Sequence, residues 1–259
     1  MLIAGLLLFS TSLLHTKPAP VFADICIRGS GPYRFLVDTG SETSLIEPEL
    51  AAELKLQPQF RVEVITQNTT RLLPGLKIEE IRIGQKRLHD VEIVFHDLAE
   101  ARRLDPSIVG VLGMNALDQF DFALRPRSAT LDIAPARPPG QAVPFYRIED
   151  RLAIKARMGR EDLTLIVDSG ATHIVLFRMP KAMANSPALP TTFGTLEGAR
   201  SAVPTCWTAG MTFSRSLRFG TLPAAVVSRR DSRADGLIPA SLFREIYVDH
   251  TRSEIVLVQ

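Results

Sequence analysis

Short apolar runs, separated by turn-forming residues, follow one another along most of the chain. Residues 22–29 (FADICIRG) and 32–40 (PYRFLVDTG) are two such runs, and Gly29, Gly31 and Pro32 lie where they meet. Apolar runs of this length, bounded by glycine and proline, are typical of β-strands joined in a hairpin. Few stretches show the spacing of a long amphipathic helix, so the pattern predicts a mostly β fold.

The pattern of the first half returns in the second. A second predicted hairpin, at 151–159 and 161–170, repeats the first, and residues 110–122 (GVLGMNALDQFDF) align with residues 236–248 (GLIPASLFREIYV) without a gap. Apolar residues three positions apart predict a short helix in this stretch, with a strand after it in both copies. The chain is therefore predicted to contain an internal duplication. The expected organisation is a leader at 1–17, a first lobe at 18–135, a linker rich in Pro and Gly at 136–144, and a second lobe at 145–259.

The leader prediction depends on residues 2–14 (LIAGLLLFSTSLL), which carry no charge. This run is shorter than the roughly 20 residues of a membrane-spanning helix, and it is typical of the apolar part of a signal peptide. No Lys or Arg precedes it, and the only sequence that resembles a cleavage site, at 21–23, lies in the first predicted strand. Cleavage between residues 10 and 17, retention as a short membrane anchor and a misassigned start codon all stay open. Export is the favoured interpretation, with the protein periplasmic or membrane-anchored and facing the periplasm.

Composition and charge narrow the class of protein. At 259 residues, 46% apolar and 22% charged, the chain is globular and could form one large domain or two smaller ones. A net charge of +2 without a long basic run argues against nucleic-acid binding. Cys26 and Cys206 lie in opposite halves without metal-ligand spacing, so two buried free thiols are a simpler interpretation than a disulfide.

Both halves place an acidic residue directly after an apolar run. Residues 35–40 (FLVDTG) contain Asp38, and residues 165–170 (LIVDSG) contain Asp168, 130 positions later. One such motif is weak evidence, because Asp-Ser-Gly is common in ordinary turns. Two motifs at the same place in two repeats are specific, and they point to a site that needs two carboxyl groups.

The paired motifs and their surroundings resemble the aspartic proteases, in particular the retropepsin-like lobes of bacterial and viral chains. The resemblance covers the chain from about residue 20 to residue 259. It implies two homologous β-barrel lobes related by a pseudo-twofold axis, each of which contributes one catalytic Asp: Asp38 and Asp168. Viral members build this site as homodimers, whereas this chain carries both lobes. The resemblance therefore implies a monomer that acts on a peptide or protein substrate.

The chemistry explains these residue types. Two carboxyls at hydrogen-bonding distance cannot both ionise readily, so the pair keeps one proton and offers a base and an acid at one place. No metal or other cofactor is implied. Small residues and hydroxyls are expected to support the pair. The predicted supporting residues are Gly40 and Gly170, which permit a tight turn and backbone N–H donation, and Thr39 and Ser169, whose hydroxyls by the resemblance bridge the two loops.

Proteases of this kind cover the cleft with hairpin flaps. Gly198 is the expected flap tip in the second half, and Asn68, which tolerates a positive φ, takes this place in the first half. Pro239 of the second half corresponds to Gly113 of the first. A proline is tolerated there if a helix begins at this position.

Other chemistries find no support in the motifs. The sequence contains no His-Glu-x-x-His, no Gly-x-Ser-x-Gly, no phosphate-binding loop and no dinucleotide-binding loop. His89 and His96 are interpreted as surface residues, and Trp207 as a residue of the core or of the cleft wall. His173, five residues after Asp168, could tune the site, although a histidine of a turn or core is the simpler interpretation.

Two hypotheses about function follow. The first is an exported, single-chain aspartic endopeptidase, which hydrolyses peptide bonds with a water molecule activated between the two Asp carboxyls. The second is a catalytically inactive peptide-binding module of the same fold, which binds extended chains by strand pairing. The presence of both Asp residues favours the enzyme.

Overall fold

The computed structural model describes residues 9–10, 20–65, 70–194, 200–227 and 233–259. Strands dominate, and the sheet closes into a β-barrel, so the predicted mostly β class is confirmed. Of the predicted leader, only Phe9 and Ser10 belong to the described residues. Within the described residues, no helix is long and apolar enough to span a membrane.

Among the described residues, the first half contains ten strands and three short helices. The strands are β1 (Phe9–Ser10), β2 (Phe22–Ile27), β3 (Ser30–Val37), β4 (Ser44–Ile46), β5 (Phe60–Ile65), β6 (Thr70–Ile83), β7 (Lys86–Phe95), β8 (Ile108–Leu112), β9 (Phe122–Arg125) and β10 (Thr130–Ile133). The helices are α1 (Pro48–Glu53), α2 (Ala99–Arg102) and α3 (Met114–Leu117). The helix predicted within 110–122 is thus α3 alone, and β8 fills the start of that stretch.

The described part of the second half contains twelve strands and two 3₁₀ helices. The strands are β11 (Gln141–Ile148), β12 (Arg151–Met158), β13 (Glu161–Asp168), β14 (Ile174–Leu176), β15 (Leu189–Gly194), β16 (Arg200–Trp207), β17 (Met211–Thr212), β18 (Arg218–Phe219), β19 (Pro223–Val226), β20 (Gly236–Pro239), β21 (Glu245–Asp249) and β22 (Glu254–Val258). The 3₁₀ helices are Lys181–Met183 and Ala240–Leu242. The second of these stands where the sequence predicts the helix that corresponds to α3.

The strand pairings of the two halves correspond. In the first half, β2 and β3 form a hairpin, β3 lies parallel to β8, and β4 lies antiparallel to β8 and parallel to β7. In the second half, β12 and β13 form a hairpin, β13 lies parallel to β20, and β14 lies antiparallel to β20 and parallel to β19. A further hairpin stands in each half, β5 with β6 and β15 with β16. The repeat read from the sequence is therefore a repeat of pairings as well.

Strands from both halves also pair with each other. β9 lies antiparallel to β21. β11 pairs with β22 at Gln141–Pro144 and then continues as the partner of β12. The last four residues of the predicted linker thus form a strand rather than a loop, because their backbone groups bond to the C-terminal strand. β1 lies antiparallel to β15.

Buried apolar side chains form several clusters. The largest cluster contains residues of both halves, with Phe35, Phe122 and Phe243 among its fully buried members. The structure also tests the predictions for the tryptophan and the two cysteines. Trp207, which the sequence places in the core or in the cleft wall, is 47% exposed, so the core alternative was wrong and the cleft wall stays a prediction. Both cysteines are free thiols, Cys206 buried and Cys26 half-buried.

Candidate active site

Two buried strand ends deliver the acidic residues to one place. The last residues of β3, Phe35 to Val37, are fully buried, because β8 pairs on one side and apolar clusters pack on both faces. Asp38 follows at once, and its N–H donates to the carbonyl of Leu112 at 3.0 Å. Asp168 is the last residue of β13, in register with Pro239 of β20. Each Asp is 1% exposed.

The two carboxyls are oriented in the same way by the backbone. Oδ1 of Asp38 accepts the N–H of Gly40 at 2.8 Å. Oδ1 of Asp168 accepts the N–H groups of Gly170 and Ala171, both at 2.8 Å. The second oxygen of each carboxyl, Oδ2, is buried and has no hydrogen-bond partner in the part of the chain that the structure describes. Buried acceptors are rarely left unpaired, so these two atoms are available to a ligand or water.

Thr39 and Ser169 exchange hydrogen bonds between the two loops. The hydroxyl of Thr39 donates to the carbonyl of Val167 at 2.8 Å and accepts the N–H of Ser169 at 3.0 Å. The hydroxyl of Ser169 donates to the carbonyl of Val37 at 2.7 Å and accepts the N–H of Thr39 at 3.0 Å. Four reciprocal bonds thus fix the distance between the two Asp loops. The bridge that the resemblance implies for these hydroxyls is present in the structure.

Gly40 lies against the opposite carboxyl. A Cβ built on Gly40 would stand 2.4 Å from Cγ of Asp168, much closer than van der Waals contact. Only glycine therefore allows the first loop to approach the second Asp so closely. The neighbouring small residues Ser41 and Ala171 are also buried, as expected beside a crowded pair.

Burial sets the electrostatics of the pair. It raises the pKa of Asp38 from 3.8 to about 6, against the opposing effects of the Gly40 N–H, the carboxyl of Asp168 and the positive charge of Arg151. Burial, followed by the negative charge of Asp38, raises the pKa of Asp168 well above its ordinary value. The pair therefore holds a proton at a pH at which two isolated Asp residues would both be ionised.

A polar network that sequence analysis missed supports the first loop. Oδ1 of Asn115 in α3 accepts the N–H of Ser44 at 3.0 Å and its hydroxyl at 2.8 Å. The Ser44 hydroxyl accepts the N–H of Gly113 at 3.1 Å, and the Asn115 side chain donates to the carbonyl of Glu92 at 2.7 Å. The network anchors the chain just after Asp38 to the helix and to β7. An amide at the start of a short helix gives no local sign of such a role.

Sequence analysis also missed a buried ion pair beside the first loop. Nη2 of Arg151 lies 3.5 Å from Oε1 of Glu42 and pairs with the carboxylate of Glu149. Arg151 is 4% exposed and Glu42 is 8% exposed. An acidic residue four positions after Asp38 in a buried loop is a signal that the sequence did offer.

The remaining predicted site residues lie outside this arrangement. Asn68 and Gly198, the expected flap tips, are not among the described residues. On either side of Asn68, β5 and β6 are paired as far as Ile65 and Thr70. On either side of Gly198, β15 and β16 are paired as far as Gly194 and Arg200.

No histidine of the described residues is among the hydrogen-bond partners of the two carboxyls. His173 is half-buried, its Nδ1 lies 2.8 Å from the hydroxyl of Thr172, and burial lowers its pKa. These contacts fit a histidine of a turn. His89 is exposed and His96 half-buried. No group of three or more His, Cys, Asp or Glu residues that could hold a metal ion occurs among the described residues.

Comparison with known proteins gives a match to one protein family and a match to a solved structure. Residues 23–116 match the aspartyl protease family, and this segment contains Asp38 and its loop. No curated protein matches the chain. Among solved structures, the chain is similar to a retropepsin-like aspartic protease from Rickettsia conorii, with 18% identity over 38% of this chain and 70% of that chain and a TM-score of 0.31. Over residues 23–116, the chain is similar to the aspartyl protease family, and this match supports the resemblance that the sequence shows.

Proposed function

We propose that the protein is an aspartic endopeptidase of the retropepsin-like type, with both lobes in one chain. It hydrolyses peptide bonds with a water molecule activated between Asp38 and Asp168. One observation carries the proposal: two buried carboxyls, at the ends of corresponding strands, are each oriented through Oδ1 by backbone N–H groups, with each Oδ2 left unpartnered. A structural turn would not leave two such oxygens buried and unpaired.

The geometry supports acid–base chemistry at the pair. With one proton between them, one carboxylate removes a proton from water while the other carboxyl donates its proton to the carbonyl oxygen of the substrate. Water oxygen bonds to the carbonyl carbon and gives a neutral tetrahedral diol. The C–N bond then breaks, the amine nitrogen takes the proton that came from water, and a hydroxyl of the diol returns a proton to the pair.

The exchanged hydrogen bonds of Thr39 and Ser169 serve this chemistry by fixing the separation of the loops. A base and an acid that must act on one substrate carbonyl lose rate steeply when either moves by an ångström. Since each hydroxyl bonds the backbone on the other side, displacement of one Asp loop carries the other with it.

The substrate is an extended peptide or a protein segment held between the two lobes. The hairpin of β5 with β6 and that of β15 with β16 are proposed to carry the flaps, with Asn68 and Gly198 at their tips. Strand edges bind extended peptides through main-chain hydrogen bonds, which suits a protease that cleaves within a chain.

The decisive experiment is incubation of the purified protein with a diverse peptide mixture at several pH values, with product identification by mass spectrometry. Internal cleavage that a statine-type transition-state mimic abolishes supports the proposal. Peptide binding without cleavage at any pH would refute the enzyme and leave the inactive peptide-binding module.

The assembly and location of the protein are part of the proposal. If one chain supplies the whole site, activity per chain stays constant on dilution through the micromolar range, whereas a second-order loss would show a site built between chains. Residues 1–17 are proposed to direct export to the periplasm, as a cleaved signal or a short anchor. Mass spectrometry of the N-terminus from a native host tests this, and a cytoplasmic protein with Met1 intact would refute it.

A further inference from the structure

Asn115, the second residue of α3, holds the segment that follows Asp38 at two places. Its N–H donates to the carbonyl of Glu42 at 3.2 Å. Its side-chain Oδ1 accepts both the N–H and the hydroxyl of Ser44, at 3.0 Å and 2.8 Å. The amide of the same side chain donates to the carbonyl of Glu92 in β7 at 2.7 Å, so a second element fixes its orientation. One side chain thus ties the loop of the first Asp to both α3 and β7.

The second half cannot form the same network. The strand pairings make Ile174 the counterpart of Ser44 and Pro239 the counterpart of Gly113. In the first half, the hydroxyl of Ser44 accepts the N–H of Gly113 at 3.1 Å. Ile174 has no hydroxyl to accept such a bond, and Pro239 has no N–H to donate it. The network is therefore present once, although the Asp motif is present twice.

The first loop also packs more closely against the end of its strand. A Cβ built on Gly113 would stand 2.6 Å from the carbonyl carbon and oxygen of Thr43, so only glycine permits this approach. Pro239 carries a Cβ, and the second loop therefore cannot lie as close to the corresponding place. The bonds exchanged by Thr39 and Ser169 join the closely held first loop to the second.

We propose that Asn115 is a positioning residue for both carboxyls of the pair. It fixes the loop of Asp38 directly, and the bonds exchanged by Thr39 and Ser169 carry that position to the loop of Asp168. Its effect on catalysis rests on the proposed function. When the side chain of Asn115 is shortened, the first loop loses its tie to α3 and β7, and the two carboxyls lose their alignment to one substrate carbonyl.

The direct test is a carbon NMR titration of the full chain labelled at the Asp side-chain carboxyls, with Asp38→Asn and Asp168→Asn to assign the two resonances. The side chain of Asn115 is uncharged, so its loss acts on the titration of the pair by moving the loops and not by a change of charge. Asn115→Ala should bring the two ionisations of the pair closer together in pH, because carboxyls that move apart influence each other less. An unchanged separation in a folded Asn115→Ala protein would overturn the proposal.

Two control variants separate positioning from general stability. Gln119 lies just after α3, and its side-chain amide accepts the N–H of His89 at 2.9 Å and donates to the carbonyl of His89 at 2.7 Å. Gln119→Ala thus removes a similar bridge to β7 that does not reach the Asp loop, and it should leave both ionisations in place. Ser241→Ala changes the counterpart of Asn115 in the second half and should also leave them in place. If Gln119→Ala narrows the separation as much as Asn115→Ala does, the effect is one of stability alone and the proposal is wrong.

Ser44→Ala tests the same network from the other side. It removes one hydroxyl with little change in volume, and the N–H of residue 44 stays available to Asn115. The separation of the two ionisations should narrow in the same direction but by less. An unchanged separation in Ser44→Ala would overturn the proposal even if every Asn115 variant failed to fold.

Kinetics on a cleaved peptide then measure the effect on catalysis. The kcat of Asn115→Ala should fall about ten- to a hundredfold with KM little changed, because alignment is lost and substrate contacts are not. A raised KM with kcat unchanged would place Asn115 in substrate binding and contradict the positioning role. The titration needs no turnover, so an unmodified chain that cleaves no peptide would refute the proposed function and leave the titration to decide the role of Asn115.

Discussion

The exchange between Thr39 and Ser169 makes a prediction that can be worked out from the contacts. Thr39→Val replaces the hydroxyl by a methyl group of similar size and keeps a β-branched side chain, so strand preference and volume change little. Thr39 is 1% exposed, and no solvent replaces the lost hydroxyl. The carbonyl of Val167 loses its donor at 2.8 Å, and the N–H of Ser169 loses its acceptor at 3.0 Å.

The expected cost follows from these two losses. A buried backbone group left without a partner costs about 1–3 kcal/mol, and two such groups together with partial relaxation give about 2–4 kcal/mol. That is a large part of the roughly 5–15 kcal/mol by which a folded domain is stable. With a urea dependence near 3 kcal/mol per molar, the midpoint of unfolding should fall by about 1 M.

Urea unfolding followed by circular dichroism measures this change. The matched control is Thr192→Val, the same substitution at an exposed position of β15, which should shift the midpoint little. If Thr39→Val costs no more than Thr192→Val, the exchanged bonds do not hold the loops together. Ser169→Ala removes the other half of the exchange, and its effect should be less than additive with Thr39→Val, because the two hydroxyls lie 3.5 Å apart in one network.

The remaining predictions concern the two carboxyls and their surroundings. Asp38→Asn and Asp168→Asn should each abolish peptide cleavage with the fold intact, and the double variant should be no worse, because the pair acts as a unit; turnover by either single variant would exclude a shared proton. Gly40→Ala should lower kcat/KM on the order of a hundredfold, since its Cβ would displace the opposite carboxyl, whereas Gly220→Ala, with open space around it, should match the unmodified protein. Stability should fall as pH rises from about 4 to about 7, because the raised pKa values of Asp38 and Glu42 make the folded state bind more protons than the unfolded state in this window. Urea unfolding at intervals across this range measures it, and a free energy of unfolding that rises through the window would contradict these pKa values.

Features with a local signature could be predicted from the sequence. The apolar runs before Asp38 and Asp168 are buried strands whose side chains pack on both faces of the sheet. A continuous apolar run predicts such a strand, because no position on either face is left to solvent. Gly40, Thr39 and Ser169 belong to two short motifs that recur in the sequence, so they could be read before any contact was known, although their contacts run from one loop to the other.

Features that depend on pairing between distant segments could not be predicted. Nothing near Arg151 in the sequence indicates that it meets Glu42, 109 positions earlier, because an arginine at the start of a strand is usually a solvated residue. The strand at Gln141–Pro144 falls in a segment rich in proline and glycine, and it forms because the C-terminal strand offers its edge. The exposure of Trp207 could not be predicted either, because an aromatic residue in a strand is buried only if another element covers it.

The loops of the two carboxyls show what a chain that carries both halves can do. If two identical chains built the site, any residue beside one Asp would also stand beside the other. In one chain the halves can differ, so Glu42 follows Asp38 by four residues and contacts Arg151, whereas Thr172 takes the corresponding place after Asp168. The hydrogen bonds exchanged by Thr39 and Ser169 are the same on both sides, so they keep the symmetric part of the arrangement, which sets the distance between the loops.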